Sequence, residues 1–263
     1  MAMRPPILAI YNQKGGAGKS VTAANLAAVL SGPRCRFRVL LLELDRQGNC
    51  SLMLGVRPSD FEFPMTRVFE GAALADCVVP LGAEGNLHLV PGDAKLPDVQ
   101  NSLHSMVRRE EVLARQLADE LAAYDIVLVD MPPSTDLLAV NGLVLCSQVV
   151  VPVRMTDANC VNGVIDLQAF LATLSKNDWP RPILRVLRLD VKRRTDNYRT
   201  LNEALVNMDL PLSEIEIPHT TKVEQSVTVG HTVVTRTPDS PPAIGYFDFA
   251  HELLSVLAPV RAA

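Results

Sequence analysis

Residues 14–20 read Lys-Gly-Gly-Ala-Gly-Lys-Ser, between a short apolar run, Ile7–Tyr11, and a helix-like stretch, Lys19–Leu30. Glycines at 15, 16 and 18 open backbone conformations closed to other residues, so successive N–H groups can turn inward on one anion. The helix that follows adds the positive end of its dipole. A strand that ends in such a loop and feeds a helix is the first half of a strand–helix–strand unit, which commits the chain to a parallel sheet. A phosphate cradle is therefore expected from Gly15, Gly16, Ala17, Gly18, Lys19, Ser20 and Val21. Lys19 would bridge the terminal phosphates of ATP, and the Ser20 hydroxyl would complete a Mg²⁺ shell.

The rest of the chain keeps the alternation. Strands are expected at Ile7–Tyr11, Phe37–Leu44, Leu87–Val90, Ile126–Asp130, Val149–Val153, Ile183–Leu189 and, more weakly, Ser213–Ile217. Several are apolar along most of their length, as parallel strands covered on both faces must be. Helices are expected at Lys19–Leu30, Arg108–Ala123, Leu137–Cys146, Asn159–Ser175, Tyr198–Met208 and Ala243–Leu257. In Arg108–Ala123, Val112, Leu113, Leu117 and Leu121 recur at helical spacing with charges between them, predicting one amphipathic helix. Pro-containing clusters at Arg57–Pro64, Pro91–Pro97 and Thr237–Pro242 read as loops. The expected fold is α/β, a doubly wound, mostly parallel sheet with helices on both faces, in a single domain over residues 1–263.

Composition narrows the functional classes. With 48% hydrophobic and 21% charged residues the chain can bury a sizeable core and is not disordered. The five cysteines are widely spaced without a C-x-x-C pair, which argues against a disulfide framework, a zinc knuckle or an iron–sulfur cluster. No signal-peptide core or stretch of 18 apolar residues occurs, so a cytoplasmic protein is expected. Net charge is −4, which excludes a general polyanion binder and leaves only local contacts to nucleic acid.

Two acidic residues end strands where an open α/β sheet binds its ligand. Asp45, in Glu43-Leu44-Asp45-Arg46-Gln47-Gly48-Asn49, would contact Mg²⁺ or orient an attacking water. Asp130 closes the apolar run Ile126–Val129, in the Walker B manner, and would hold Mg²⁺ directly or through water. The Met131-Pro132-Pro133-Ser134 exit cannot continue a sheet ladder. Glu43 is either a packing residue or a direct participant.

The loop departs from G-x-x-x-x-G-K-[ST] by carrying Gln13 at the first position, followed by Lys14. In this form, KGGxGK[ST], the sequence resembles the ParA/MinD family of deviant Walker A P-loop ATPases. Asp45 matches the second aspartate of that family's D-x-D-x-Q-G-N segment. Asp130-Met-Pro-Pro-Ser, with Asn141 after it, matches switch II, and Val151-Pro152-Val153 followed by a helix containing Gly163 matches a further segment. The resemblance implies that Lys14 reaches the nucleotide of a second subunit in an ATP-bound homodimer, making Lys14, Lys19 and Asp45 the catalytic candidates. It also places Pro218 near the base, although His219 stands where the family's I-P-R has arginine.

Within that family the resemblance is to ParA-type partition ATPases, which implies non-specific DNA binding, nucleoid association and a stimulating partner, a ParB-type centromere-binding protein or a cargo adaptor. The Arg181–Thr200 segment carries seven cations against two anions, or +5, leaving the remainder at −9. Lys192, Arg193, Arg194 and Arg199 are the expected phosphate contacts, with Lys222 and Arg236 secondary. A MinD-like membrane ATPase would end in a basic amphipathic helix, whereas His251–Ala263 offers one arginine, Arg261, and an acidic Glu252, so no membrane is expected. A metabolic P-loop enzyme of the dethiobiotin-synthetase kind is the alternative from a different class.

Overall fold

The computed structural model describes residues 4–82, 85–176, 179 and 182–257. Arg181 and the terminal residues 258–263, Arg261 among them, lie outside the described residues. In chain order the elements are β1 (Ile7–Ile10), α1 (Lys19–Ser31), β2 (Val39–Glu43), α2 (Asn49–Met53), α3 (Pro64–Phe69), β3 (Val79–Leu81), β4 (Leu87–Val90) and α4 (Leu96–Leu103). They continue with α5 (Val112–Gln116), β5 (Ile126–Asp130), α6 (Leu137–Leu145), β6 (Gln148–Arg154), α7 (Ala158–Ser175), β7 (Ile183–Val191) and α8 (Asp196–Val206). The last are β8 (Leu212–Pro218), α9 (Thr221–Thr228), α10 (Val233–Arg236) and α11 (Pro241–Leu257).

All eight strands join one sheet in the order β3-β4-β2-β5-β1-β6-β7-β8. Every pairing is parallel except β3 with β4 at the edge. Side chains alternate across each strand and feed two cores. Ile7 and Ala9, Leu40 and Leu42, and Val127 and Val129 pack with residues of α3 to α8 on one face. Leu8 and Ile10, Leu41 and Leu128 pack with α1, α10 and α11 on the other. This is the doubly wound α/β architecture. Among the described residues no helix is long and apolar enough to cross a membrane.

β1 lies between β5 and β6: its own connection runs through α1 to β2 in one half of the sheet, and the β5–α6–β6 connection crosses to the other half. Switch points of this sort open a crevice at the strands' carboxyl ends. Register sets the crevice floor: Ile10 stands opposite Asp130, and Asp130 opposite Glu43.

One expected helix is corrected. Arg108–Ala123 is a 3-10 turn at Arg109–Glu111, the short α5, and a second 3-10 turn at Leu121–Ala123. Val112, Leu113, Leu117 and Leu121 are all buried as the periodicity requires. The interruption has a long-range cause. Buried Asn141 on α6 accepts from the Leu113 N–H at 3.0 Å and donates to the Arg109 carbonyl at 2.8 Å. It also donates to the Leu137 carbonyl at 2.8 Å. The two hydrogen bonds to Leu113 and Arg109 fix the 109–113 backbone away from a continuous helix. The edge strand β3 and the short α2, α3, α9 and α10 go beyond the elements expected from the sequence, and α4 and α11 begin inside proline clusters that read as loops. Each of those two helices takes its proline in the first turn, where no N–H is needed.

Replacing Asn141 by Ala leaves the buried Leu113 N–H without its acceptor. Unfolding free energy should fall by about 1–3 kcal/mol, the cost of one orphaned buried group, measured by chemical denaturation.

Candidate functional site

The loop after β1 is held open by glycine where it must be. Gly16 and Gly18 have φ of 77° and 92°, the left-handed region, and Gly18 caps α1 with no side chain in the way. Lys19, nearly buried at 6% exposed, turns back and donates to the Lys14 carbonyl at 3.1 Å. Burial lowers the Lys19 pKa, and the negative charges of Asp130 and Asp45 oppose that shift. Lys14 itself is exposed.

The three acids divide sharply. Asp130 is fully buried, and neither carboxylate oxygen has a hydrogen-bond partner. Burial pushes its pKa well up, and the nearby Glu43 charge adds to the shift. Ser20 lies close enough to draw it partly back, as does the Lys19 charge. A buried carboxylate with unspent lone pairs, beside a hydroxyl and a second acid, fits an octahedral oxygen-seeking cation. Ser20, Asp130 and Asp45 are the residues that would hold it.

Glu43 is different. Its carboxylate accepts from the Cys50 N–H at 2.7 Å, the Gly92 N–H at 3.0 Å and the Ser51 N–H at 3.4 Å, and from the Ser51 hydroxyl. Burial raises its pKa and these bonds pull it back. The group is spent on backbone, anchoring the first turn of α2 to the segment after β4. Gly92 is glycine by contact: a Cβ there would lie 2.3 Å from the Asp45 carbonyl. Asp45 keeps one oxygen busy with the Gln47 N–H at 3.0 Å, an Asx turn.

A cavity of about 580 Å³ joins these parts, within the range of roughly 300–1,000 Å³ typical of small-molecule sites. Gly15, Gly16, Gly18, Lys19, Ser20, Val21 and Asp45 line it, and Pro218 lines its other end. Ala17 is buried in the core, and Asp130, close to Ser20 and Lys19, is buried without lining the cavity.

Sequence reasoning missed the far wall. Arg154 at the end of β6, Asp190 on β7, and Thr220 and Tyr246 all line the cavity. The Asp190 carboxylate accepts from Arg154 at 3.0 Å, from the Thr156 hydroxyl at 2.8 Å and from the His219 ring. Burial works against its ionisation, yet these bonds prevail and hold its pKa below the ordinary value. His219 is thus engaged with a cavity residue. Asp190 also sits at φ 58°, an uncommon conformation for a residue with a side chain. The signal available in sequence was only Val-Arg-Met-Thr at the end of a strand and Leu-Asp in another.

The basic segment is only partly a surface. Lys192, Arg193, Arg194 and Arg199 are exposed, as is Lys222 on α9. Arg185 and Arg188 turn inward instead, to Glu252 at 2.7 Å and Glu216 at 2.9 Å. Arg193 also meets Glu216, at 2.6 Å, and Arg199 pairs with exposed Asp196 at 3.1 Å. The expected excess of +5 is therefore diluted by acids that the fold brings in from β8 and α11.

The AAA domain family (AAA_31) matches residues 6–186. The chromosome-partitioning ATPase Soj of Thermus thermophilus is 34% identical over 254 residues, covering 94% of this chain and 95% of its own. The chromosome partitioning protein ParA of Caulobacter vibrioides is 30% identical over 258 residues, covering 95% and 94%. The crystal structure of cobyrinic acid a,c-diamide synthase from Mycobacterium smegmatis, with bound ATP analog and magnesium, is similar with a TM-score of 0.80 at 27% identity. It matches over 95% of this chain and 94% of that one. The likeness extends well beyond the glycine loop to nearly the whole length, and the chain belongs to the ParA/MinD family of P-loop ATPases.

Proposed function

We propose that this protein is an ATP-driven partition or positioning switch. It binds ATP with Mg²⁺, pairs face to face with a second copy, holds DNA non-specifically, and lets go after hydrolysis stimulated by a ParB-type protein or cargo adaptor. The observation that carries the reading is a phosphate loop sharing one cavity with Asp45, above the unpartnered, buried Asp130, while Lys14 projects outward from the same loop.

The residues divide the work. Backbone N–H groups of residues 15–20 and the start of α1 cradle the phosphates, and Lys19 supplies a desolvated positive charge to them. Ser20 and Asp130 would hold Mg²⁺, with Asp45 at hand, and the bound ion would supply positive charge to the phosphates. Asp45 orients the attacking water. Glu43 fixes the loop that carries Asp45 by clamping α2 and Gly92. Lys14 adds a second positive charge to the nucleotide of the opposite subunit. Slow intrinsic turnover follows from a bound state that must outlast transport.

The names of Soj and ParA support this reading over a membrane-bound regulator. The named activity of the diamide synthase supports a second one, ATP-dependent activation of a carboxylate by the same loop. That reading predicts turnover dependent on a small carboxylate and an amide donor, and indifferent to DNA.

Two measurements test the switch. Asp45→Ala should lower kcat for ATP by roughly 10²–10⁴-fold, the range lost with a water-orienting group, and accumulate an ATP-bound dimer on a sizing column. A monomeric variant with wild-type turnover would take Asp45 out of the mechanism. Non-specific DNA affinity should rise with ATP and fall steeply with salt. Joint replacement of Lys192, Arg193 and Arg194 by Ala should lower it on the order of tenfold or more at low salt while dimerisation persists. DNA binding that ignores both nucleotide and the triple substitution would sink the partition reading.

A further inference from the structure

We propose that Asn12 is a positioning residue that sets Lys14, and that Gly163 is glycine to make room for it. This rests on the reading that Lys14 acts across a dimer. Asn12 is completely buried just after β1. Its amide nitrogen donates to the Pro152 carbonyl on β6 at 2.9 Å and to the Cys160 carbonyl in the first turn of α7 at 3.2 Å. Its amide oxygen accepts the Lys14 N–H at 2.9 Å. Lys14 in turn presents its carbonyl to the Lys19 ammonium at 3.1 Å. One side chain thus ties the outward-facing lysine, through its backbone, to β6 and α7 on one side and to the phosphate-binding lysine on the other.

Gly163 closes the arrangement. A Cβ at that position would sit 2.3 Å from the Asn12 amide oxygen and 3.5 Å from the Lys14 Cβ. Any side chain at position 163 would push Asn12 off the Lys14 N–H. The hydrogen bonds are fully used without any ligand, so the device is preorganised. It fixes where the Lys14 side chain leaves the surface, beside the start of α7, before a second copy arrives.

The test measures turnover, KM for ATP, ATP-dependent dimer formation and thermal midpoint. The variants are Asn12→Ala, Gly163→Ala, Lys14→Ala and the Asn12→Ala/Lys14→Ala double. Gly163→Ala keeps Asn12 and perturbs the same contact from the helix side, so the test survives an Asn12 variant that folds poorly. A misplacement of about 1 Å can cost on the order of 100-fold, so Asn12→Ala and Gly163→Ala should each lower kcat by roughly 10- to 100-fold. KM should move less than about threefold, and dimer formation should fall with kcat. In the Lys14→Ala background the Asn12 substitution should add no more than about twofold, because the side chain it positions is gone, whereas an effect carried to Lys19 through the residue-14 backbone would persist. An undiminished Asn12 effect in that background, or an effect confined to KM or to thermal stability, overturns the proposal. If Lys14→Ala alone leaves turnover and dimerisation at wild-type levels, the reading beneath it fails as well.

Discussion

Asp130 is the group on which the site depends. A carboxylate wholly inside a protein, with both oxygens unpartnered, is costly unless a cation or a proton answers it. The sheet order places it there: β5 pairs with β1 and β2, so the residue ending β5 is enclosed by its neighbours' ends. Lys19 is the protein's own answer, and its pKa is drawn down by burial while Asp130 pulls the other way. Loop, helix start and Walker B strand are electrostatically one unit. Its unspent acceptors are where a divalent ion would complete it.

The acidic cluster gives each carboxylate a different environment, although the Glu43 and Asp45 charges still push the Asp130 pKa upward. Glu43 stands opposite Asp130 in register, yet its oxygens face Cys50, Ser51 and Gly92 rather than the cavity. Backbone N–H groups stabilise a carboxylate without adding a mobile counter-charge. The consequence is mechanical as much as electrostatic. Asp45 follows Glu43 by two residues, and the close approach of Gly92 to the Asp45 carbonyl leaves that stretch no slack. The residue whose role was open from sequence is thus spent on holding the loop, and Asp45 alone of the pair lines the cavity.

What was legible in the sequence was what local chemistry decides. Apolar runs ending in aspartate, and a glycine loop feeding a helix, carry their own structural instructions, so β1, β2, β5 and the loop stand where they were expected. Arg108–Ala123 failed because periodicity reports which residues are buried and not whether the helix is continuous. An amide at position 141 on α6 breaks it. The far wall failed for a related reason. Arg154 and Asp190 lie on β6 and β7 and His219 directly follows β8, so they acquire meaning only when those strands are adjacent. Gly163 was visible as a family feature, but its reason lies in an oxygen of residue 12.

The charge arithmetic makes the same point more strongly. A linear count credits residues 181–200 with a compact cationic patch, but strand geometry assigns alternate side chains to opposite environments. Arg185 and Arg188, on β7, are drawn to Glu252 and Glu216 and serve to fasten β7 to β8 and α11. Only after β7 ends does the chain release Lys192, Arg193 and Arg194 together at the surface. Glu216 holds both an inward arginine and an outward one, and it immediately precedes Ile217 and Pro218 in the cavity wall. Asp190, two residues before the basic run, is in that wall too. The basic run therefore starts two residues after a cavity residue, Asp190, and its Arg193 is held by Glu216, the chain neighbour of cavity residue Ile217. A basic loop hung on the pocket wall is better placed to report the pocket's contents than a patch of the same charge elsewhere on the surface.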